Sequence, residues 1–121
     1  VTARRWQKTD VPMAWMRGKG FETFCPVGPA VVTGEDVPDP GALEIITRIN
    51  GDVVGQVSTS NMRRSVDEII AELSAHMTLH PGTLLLTGGP PGDERCRLKP
   101  GDEVEIEIEG IGTLANPVVE A

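Results

Sequence analysis

A β-rich, mixed α+β fold is predicted for this chain, with several short strands covered by one main amphipathic helix. Three observations predict it. Fourteen glycines and ten prolines in 121 residues interrupt the chain too often for long helices and mark turns between strands. Apolar and polar residues alternate in two well-separated stretches, the pattern of a strand with one buried face. A single stretch carries apolar residues at helical spacing.

Residues 1–27 carry Arg, Lys, Trp and Gly without a sustained period and predict a short helical turn followed by irregular chain. Residues 29–33 are a short strand candidate, closed by Gly34, Glu35, Asp36 and a turn cluster at 38–41. Leu43, Ile45, Thr47 and Ile49 then alternate with Glu44, Ile46, Arg48 and Asn50, and a β-branched run at 53–57 follows Asn50-Gly51. Asn-Gly between two such runs predicts a type I′ hairpin, because both central residues need positive φ. Ser65 opens the clearest helix, since its hydroxyl can cap an amide while Glu68 reaches back as a capping box. Val66, Ile69, Ile70, Leu73 and Met77 share one face over about three turns, a face expected to pack on a sheet. Pro81-Gly82 ends this segment, and residues 83–87 predict a buried strand running into a Gly88-Gly89-Pro90-Pro91-Gly92 loop. Val104, Ile106 and Ile108 alternate with Glu103, Glu105, Glu107 and Glu109, and Gly110-Ile111-Gly112 turns this strand back into 113–119. The sum is about six or seven strands. Hairpin neighbours are antiparallel, but the segment between Val57 and Thr83 permits a parallel crossover as well, so the sheet order stays open.

The length is that of one domain, able to bury roughly two-thirds of the surface its unfolded chain exposes. With 11 Lys and Arg against 18 Asp and Glu the formal charge is −7, spread along the chain, which argues against a nucleic-acid partner. No stretch approaches the roughly 20 apolar residues of a membrane span. Cys25 and Cys96 lack the dense spacing of a secreted disulfide scaffold, so a reducing cytoplasm is expected, although a single bridge is compatible with two cysteines. The chain opens on Val1-Thr2-Ala3-Arg4 with no targeting pattern, and is expected to begin inside a larger protein.

Several residue groups could carry chemistry. Arg4, Arg5, Arg17 and Lys19 form a basic cluster in an acidic chain, suited to an oxo acid whose carboxylate and developing carbonyl charge both need cations; solvated surface charge is the competing reading. Trp6 and Trp15 flank it and could wall a pocket or pack in a core. The loop after residue 87 could offer backbone amides to an anion, although it matches no phosphate-binding fingerprint and a tight structural turn is the commoner use. His76 and His80 are four apart, but the helix should end between them, and packing or surface histidines are the better reading than a zinc site. Glu105, Glu107 and Glu109 alternate with apolar residues, which marks a solvent face rather than a catalytic carboxylate pair. No Gly-x-Ser-x-Gly is present, and neither cysteine has a persuasive His and Asn arrangement.

Six blocks in order carry a resemblance: Val1-Thr2-Ala3-Arg4-Arg5-Trp6-Gln7, the run from Lys19 through Phe21-Glu22-Thr23-Phe24-Cys25-Pro26 to Pro29, the Asn50-Gly51 hairpin, Met77-Thr78-Leu79-His80-Pro81-Gly82, Leu86-Thr87-Gly88-Gly89-Pro90, and Glu109 to Val118. Together they resemble the C-terminal part of the fumarylacetoacetate hydrolase catalytic domain, along the whole chain. The resemblance implies a mixed β-sandwich roll and a divalent cation, magnesium or manganese. It implies a 2-oxo acid or 1,3-dicarbonyl substrate that is hydrolysed, decarboxylated or isomerised through an enolate. It also implies that Lys19 faces the substrate carbonyl, that Gln7 hydrogen-bonds substrate or attacking water, and that Arg4 supports the same site. Thr23 resembles a second-cation position, Gly88 and Gly89 an anion-contacting turn, and a homodimer is the family's common assembly.

The chain also departs from the family pattern. The family's metal carboxylates, a Glu-x-Glu pair and an Asp that would immediately precede Val1, lie outside this sequence, as do the His and Glu that activate water in hydrolytic members. The chain is therefore expected to be the C-terminal portion of a single catalytic domain whose N-terminal part is missing here. Arg5 stands where the family has Asp, Gly89 where it has Thr, Thr83 where it has Asp, and Arg63-Arg64 where it has an apolar pair, which suggests an altered dimer surface. The stretch from Pro91 to Cys96 replaces a short Gly-Val-Gly segment and should reshape the pocket rim. These changes keep a second reading open, a non-catalytic binding or scaffolding subunit on the same fold.

Overall fold

The computed structural model describes residues 2–7, 14–37, 39–89 and 94–120, with residues 5, 6 and 14 described by backbone alone. The Trp6 wall, the Arg5 side chain, Pro38 and the 90–93 part of the glycine-rich loop and rim lie outside the described residues.

Strand β1 (Glu44–Ile49) and strand β2 (Asp52–Ser58) form the predicted hairpin, with Asn50 at φ 53° and Gly51 at φ 84°. Those two positive φ values are what a type I′ turn requires, and Asn and Gly reach them at least cost. Strands β3 (Glu103–Ile108) and β4 (Gly112–Pro117) form a second hairpin. The sheet order is β2-β1-β3-β4, antiparallel throughout, so the long segment after β2 returns to pair β3 with β1 and makes no parallel crossover.

Register divides the sheet into two chemically distinct faces. Ile45, Thr47 and Ile49 stand opposite Ile108, Ile106 and Val104, and Ile106 in turn stands opposite Leu114. Part of this apolar face is covered by the preceding segment: a Cβ at Gly112 would meet Pro29 at 3.4 Å, and one at Gly28 would meet Leu114 at 3.4 Å. On the other face Arg48 donates to Glu107 at 2.6 Å and Gln56 to Glu44 at 2.6 Å. Glu107 is thus half of a part-buried cross-strand pair, and Glu105 beside it is half-buried too, whereas Ile106 on the apolar face is exposed, the reverse of the expected alternation.

A polar latch joins the two hairpins. Asn50 Nδ2 donates to Asp102 Oδ1 at 2.9 Å while Asn50 Oδ1 accepts from the Glu103 amide at 2.9 Å. Asp102 also accepts from the Lys99 amide at 2.9 Å, and its backbone carbonyl accepts from Val118 at 2.7 Å. It is 4% exposed, and the Asn50 hydrogen bond, followed by that from Lys99, holds its carboxyl below the ordinary aspartate pKa.

Helices α1 (Arg4–Gln7) and α2 (Ala14–Lys19) lie in the N-terminal stretch, where one helical turn was expected; α2 has too few residues to display a period. Helix α3 (Val66–Ser74) carries the predicted capping box, with Ser65 Oγ accepting from the Glu68 amide at 3.2 Å and Glu68 accepting from the Ser65 amide at 2.8 Å. It ends before Met77, and Ile70 and Met77 on the face expected to lie on a sheet are exposed.

Four strands occur among the described residues, against the six or seven expected. Residues 29–33 form no strand; Pro29 meets the sheet at Gly112, while Val31 is 91% exposed. Residues 83–87 form no strand, and Leu84 and Leu86 are 58% and 76% exposed where a buried strand was predicted. A strand needs a neighbour to satisfy its backbone groups, and an apolar run without one stays extended chain.

Candidate functional site

Three of the residues singled out by sequence lie on the two abutting helices of the N-terminal unit. Arg4 and Gln7 bound α1, and Lys19 closes α2. Neither helix is long enough to persist alone; they hold each other. The Ala3 amide donates to the Gly18 carbonyl at 2.8 Å, and Lys19 Nζ donates to Thr2 Oγ1 at 2.9 Å. Gly18 is buried at the contact, where a Cβ would lie 2.7 Å from Gln7 Cγ and 3.2 Å from the Ala3 carbonyl oxygen. Only glycine lets the two backbones come this close with Gln7 between them.

Gln7 Nε2 is buried and has no hydrogen-bond partner among the described residues. A buried amide donor left in this state is costly, and a ligand oxygen or water would satisfy it. Arg4, Arg17 and Lys19 are exposed, so among the described residues this unit presents three cations and one amide donor without a partner. Thr23, at φ 66°, holds a left-handed backbone that a β-branched residue rarely adopts, in a turn braced by the Phe21 and Phe24 rings 5.2 Å apart. Met16, Arg17, Gly20 and Phe21 line a cavity of about 250 Å³ on α2. Trp15 is not among the residues lining this cavity and is 68% exposed.

The other candidates are not drawn into this unit. Gly88, at φ 88°, and Gly89 are exposed, with no atom within 4 Å of where a Cβ would stand. His76 Nδ1 donates to the Glu72 carbonyl at 2.8 Å, satisfying a carbonyl in the last turn of α3. Among the described residues no group of three His, Cys, Asp or Glu could hold a metal ion. Cys25 and Cys96 are free thiols. Arg64 pairs with Glu72 across α3. A second cleft of about 580 Å³, unmarked in the sequence reading, is lined by Glu44, Glu107, Glu109 and the Gly110–Gly112 turn. Its carboxylates repel an anionic substrate, whereas Arg4 and Lys19 attract one. No described helix is long and apolar enough to cross a membrane.

Comparison with known proteins gives a consistent result. A family model described as fumarylacetoacetate (FAA) hydrolase, C-terminal, matches residues 1–119. A mitochondrial oxaloacetate tautomerase of Bos taurus is 45% identical over 124 residues, covering 98% of this chain and 40% of that protein. The crystal structure of a 2-hydroxyhepta-2,4-diene-1,7-dioate isomerase from Mycobacterium marinum superposes with a TM-score of 0.86 at 52% identity, covering 98% of this chain and 44% of that one. A maleylpyruvate hydrolase from Sphingobium, solved with manganese(II) and pyruvate, superposes at 0.76 with 36% identity over 82% of this chain and 37% of its own. The chain thus spans about two-fifths of the length of the relatives it matches.

Proposed function

This chain belongs to the fumarylacetoacetate hydrolase family, and on that premise we propose that it is the C-terminal portion of a catalytic domain that turns over 2-oxo acids or 1,3-dicarbonyl compounds through an enolate. The observation that carries the reading is that a buried Gln7 amide without a partner among the described residues and Lys19 lie on abutting helices. In this reading Arg4 pairs with the substrate carboxylate, Gln7 Nε2 donates to a substrate oxygen, and the Lys19 ammonium donates to the carbonyl oxygen that becomes the enolate. Stabilising that oxygen serves keto–enol exchange, decarboxylation and carbon–carbon hydrolysis alike. Gly88 and Gly89 supply an anion-contacting turn once brought to the substrate.

Family membership also carries a divalent cation, magnesium or manganese, and a relative was solved with manganese(II). The described residues offer no group of three that could hold it; the family resemblance puts its carboxylate ligands outside this sequence, and no step here is routed through it. We further read the protein as a cytoplasmic homodimer; the outer edges of β2 and β4, which pair with no strand among the described residues, and the exposed Leu84 and Leu86 are surfaces suited to association.

The test is turnover by the full-length protein of oxaloacetate, in tautomerisation and decarboxylation, and of an acylpyruvate, with magnesium or manganese. At least one cation-dependent reaction is expected, with Lys19→Ala lowering kcat/KM by about 10²–10⁴. Absence of every reaction with either cation would reject the enzyme in favour of the scaffolding subunit.

A further inference from the structure

A lysine ammonium on four rotatable bonds sweeps a volume far wider than the roughly 0.5 Å tolerance of a productive site. Something must therefore hold Lys19 if it acts on a carbonyl oxygen. Its Nζ donates to Thr2 Oγ1 at 2.9 Å. The chain carrying that hydroxyl is itself anchored to the end of α2, because the next residue, Ala3, donates its amide to the Gly18 carbonyl at 2.8 Å. The two bonds run in opposite directions between residues 2–3 and 18–19, which makes a clasp rather than a single contact. The absent side chain at Gly18 keeps the clasp closed. Thr2 suits this place: it is half-buried, its β-branched side chain has few rotamers, and its hydroxyl can accept from Lys19 while its own proton remains free to donate.

We propose that Thr2 is a positioning residue, its Oγ1 fixing the Lys19 ammonium for reaction at the substrate carbonyl. The proposal rests on Lys19 acting as described above. Serine at this position would preserve the contact; valine, with the same shape and no acceptor, would release it.

Two measurements on the full-length protein test this, and the first needs no substrate. The rate at which formaldehyde and borohydride methylate the Lys19 amine is followed by peptide mass spectrometry, with Lys99 as internal control. A clasped ammonium reacts slowly, so Thr2→Val should raise the Lys19 rate several-fold and leave Lys99 unchanged, while Thr2→Ser stays at the wild-type rate. In the second, Thr2→Val should lower kcat by about tenfold with KM nearly constant, the loss of one charge-assisted hydrogen bond, and Thr2→Ser should restore it. Thr2→Ala serves as the acceptor-free variant if Thr2→Val fails to fold. Equal labelling of Lys19 in wild type and the acceptor-free variant overturns the proposal. Faster labelling with unchanged kcat overturns it too, since the contact would then be structural alone. If wild type turns over no oxo acid, the enolate reading falls, and with it the catalytic purpose of Thr2, while the labelling rates still decide whether the clasp exists.

Discussion

Strand β1 is paired along both of its edges, with β2 and β3, and the latch of Asn50 and Asp102 ties its turn to the start of β3 and the end of β4. Helices α1 and α2, of four and six residues, are held together by the Thr2–Lys19 and Ala3–Gly18 bonds and the seat of Gln7 on Gly18. The sheet is a platform whose order comes from many cooperative bonds; the helical pair, to which the proposed function assigns the chemistry, is held by few. Substitutions in the two regions should therefore separate, with sheet variants losing stability and helical-pair variants losing turnover.

The largest effect that would sharpen this contrast is expected at Gly18. Gly18→Ala puts a carbon 2.7 Å from Gln7 Cγ, so Gln7 must move, and displacement of a substrate-contacting group by about 1 Å can cost roughly 10²-fold in kcat/KM. Steady-state kinetics beside a thermal melt would check it, and in a Gln7→Ala background the same change should cost little. A large loss of melting temperature without a change in kinetics would break the contrast.

Asn50→Ala should act in the opposite sense. It removes the acceptor of the Glu103 amide and places a Cβ-bearing residue without turn propensity at φ 53°, costing about 2 kcal/mol in a denaturant titration, while kcat of the folded protein stays within twofold. Smaller still is Ser65→Ala, which removes the α3 cap and should cost about 1 kcal/mol, read as a lower urea midpoint.

Asp102 gives the smallest effect and a signed pH dependence. Its carboxyl is depressed in the folded chain, so the stabilisation is complete above the unfolded value and lost as pH falls through the folded one, below about pH 4. Asp102→Asn should flatten that acid limb of the melting-temperature profile; an unchanged limb would separate the latch from the sheet's acid response.

Much of this was legible in the residues themselves. Asn50-Gly51 between two alternating runs specifies its hairpin because the turn geometry is local, and Ser65 with Glu68 specifies a helix start because the capping box closes within four residues. The six blocks of motif identify the family, which the match over residues 1–119 bears out. Arg4, Gln7 and Lys19 were legible as candidates, whereas Thr2, which bonds Lys19, and Gly18, which seats Gln7, carried no sign of those contacts: a hydroxyl and a missing side chain become informative only once something packs on them. The apolar run at 83–87 misled for the complementary reason, since its composition is that of a buried strand and nothing in the described residues pairs with it.

Local chemistry, then, was determined by the sequence alone: turn types, caps, strand alternation, charge balance and the family motifs, each set by residues a few positions apart. Tertiary structure decided the rest. The return of β3 to β1, the bond from Lys19 to Thr2 seventeen residues away, and the pairing of Asn50 with Asp102 fifty-two residues away all close long loops. Closure entropy grows only slowly with loop length, so sequence separation hardly discriminates among possible partners; shape, register and the need to satisfy each buried polar group select the pair that forms.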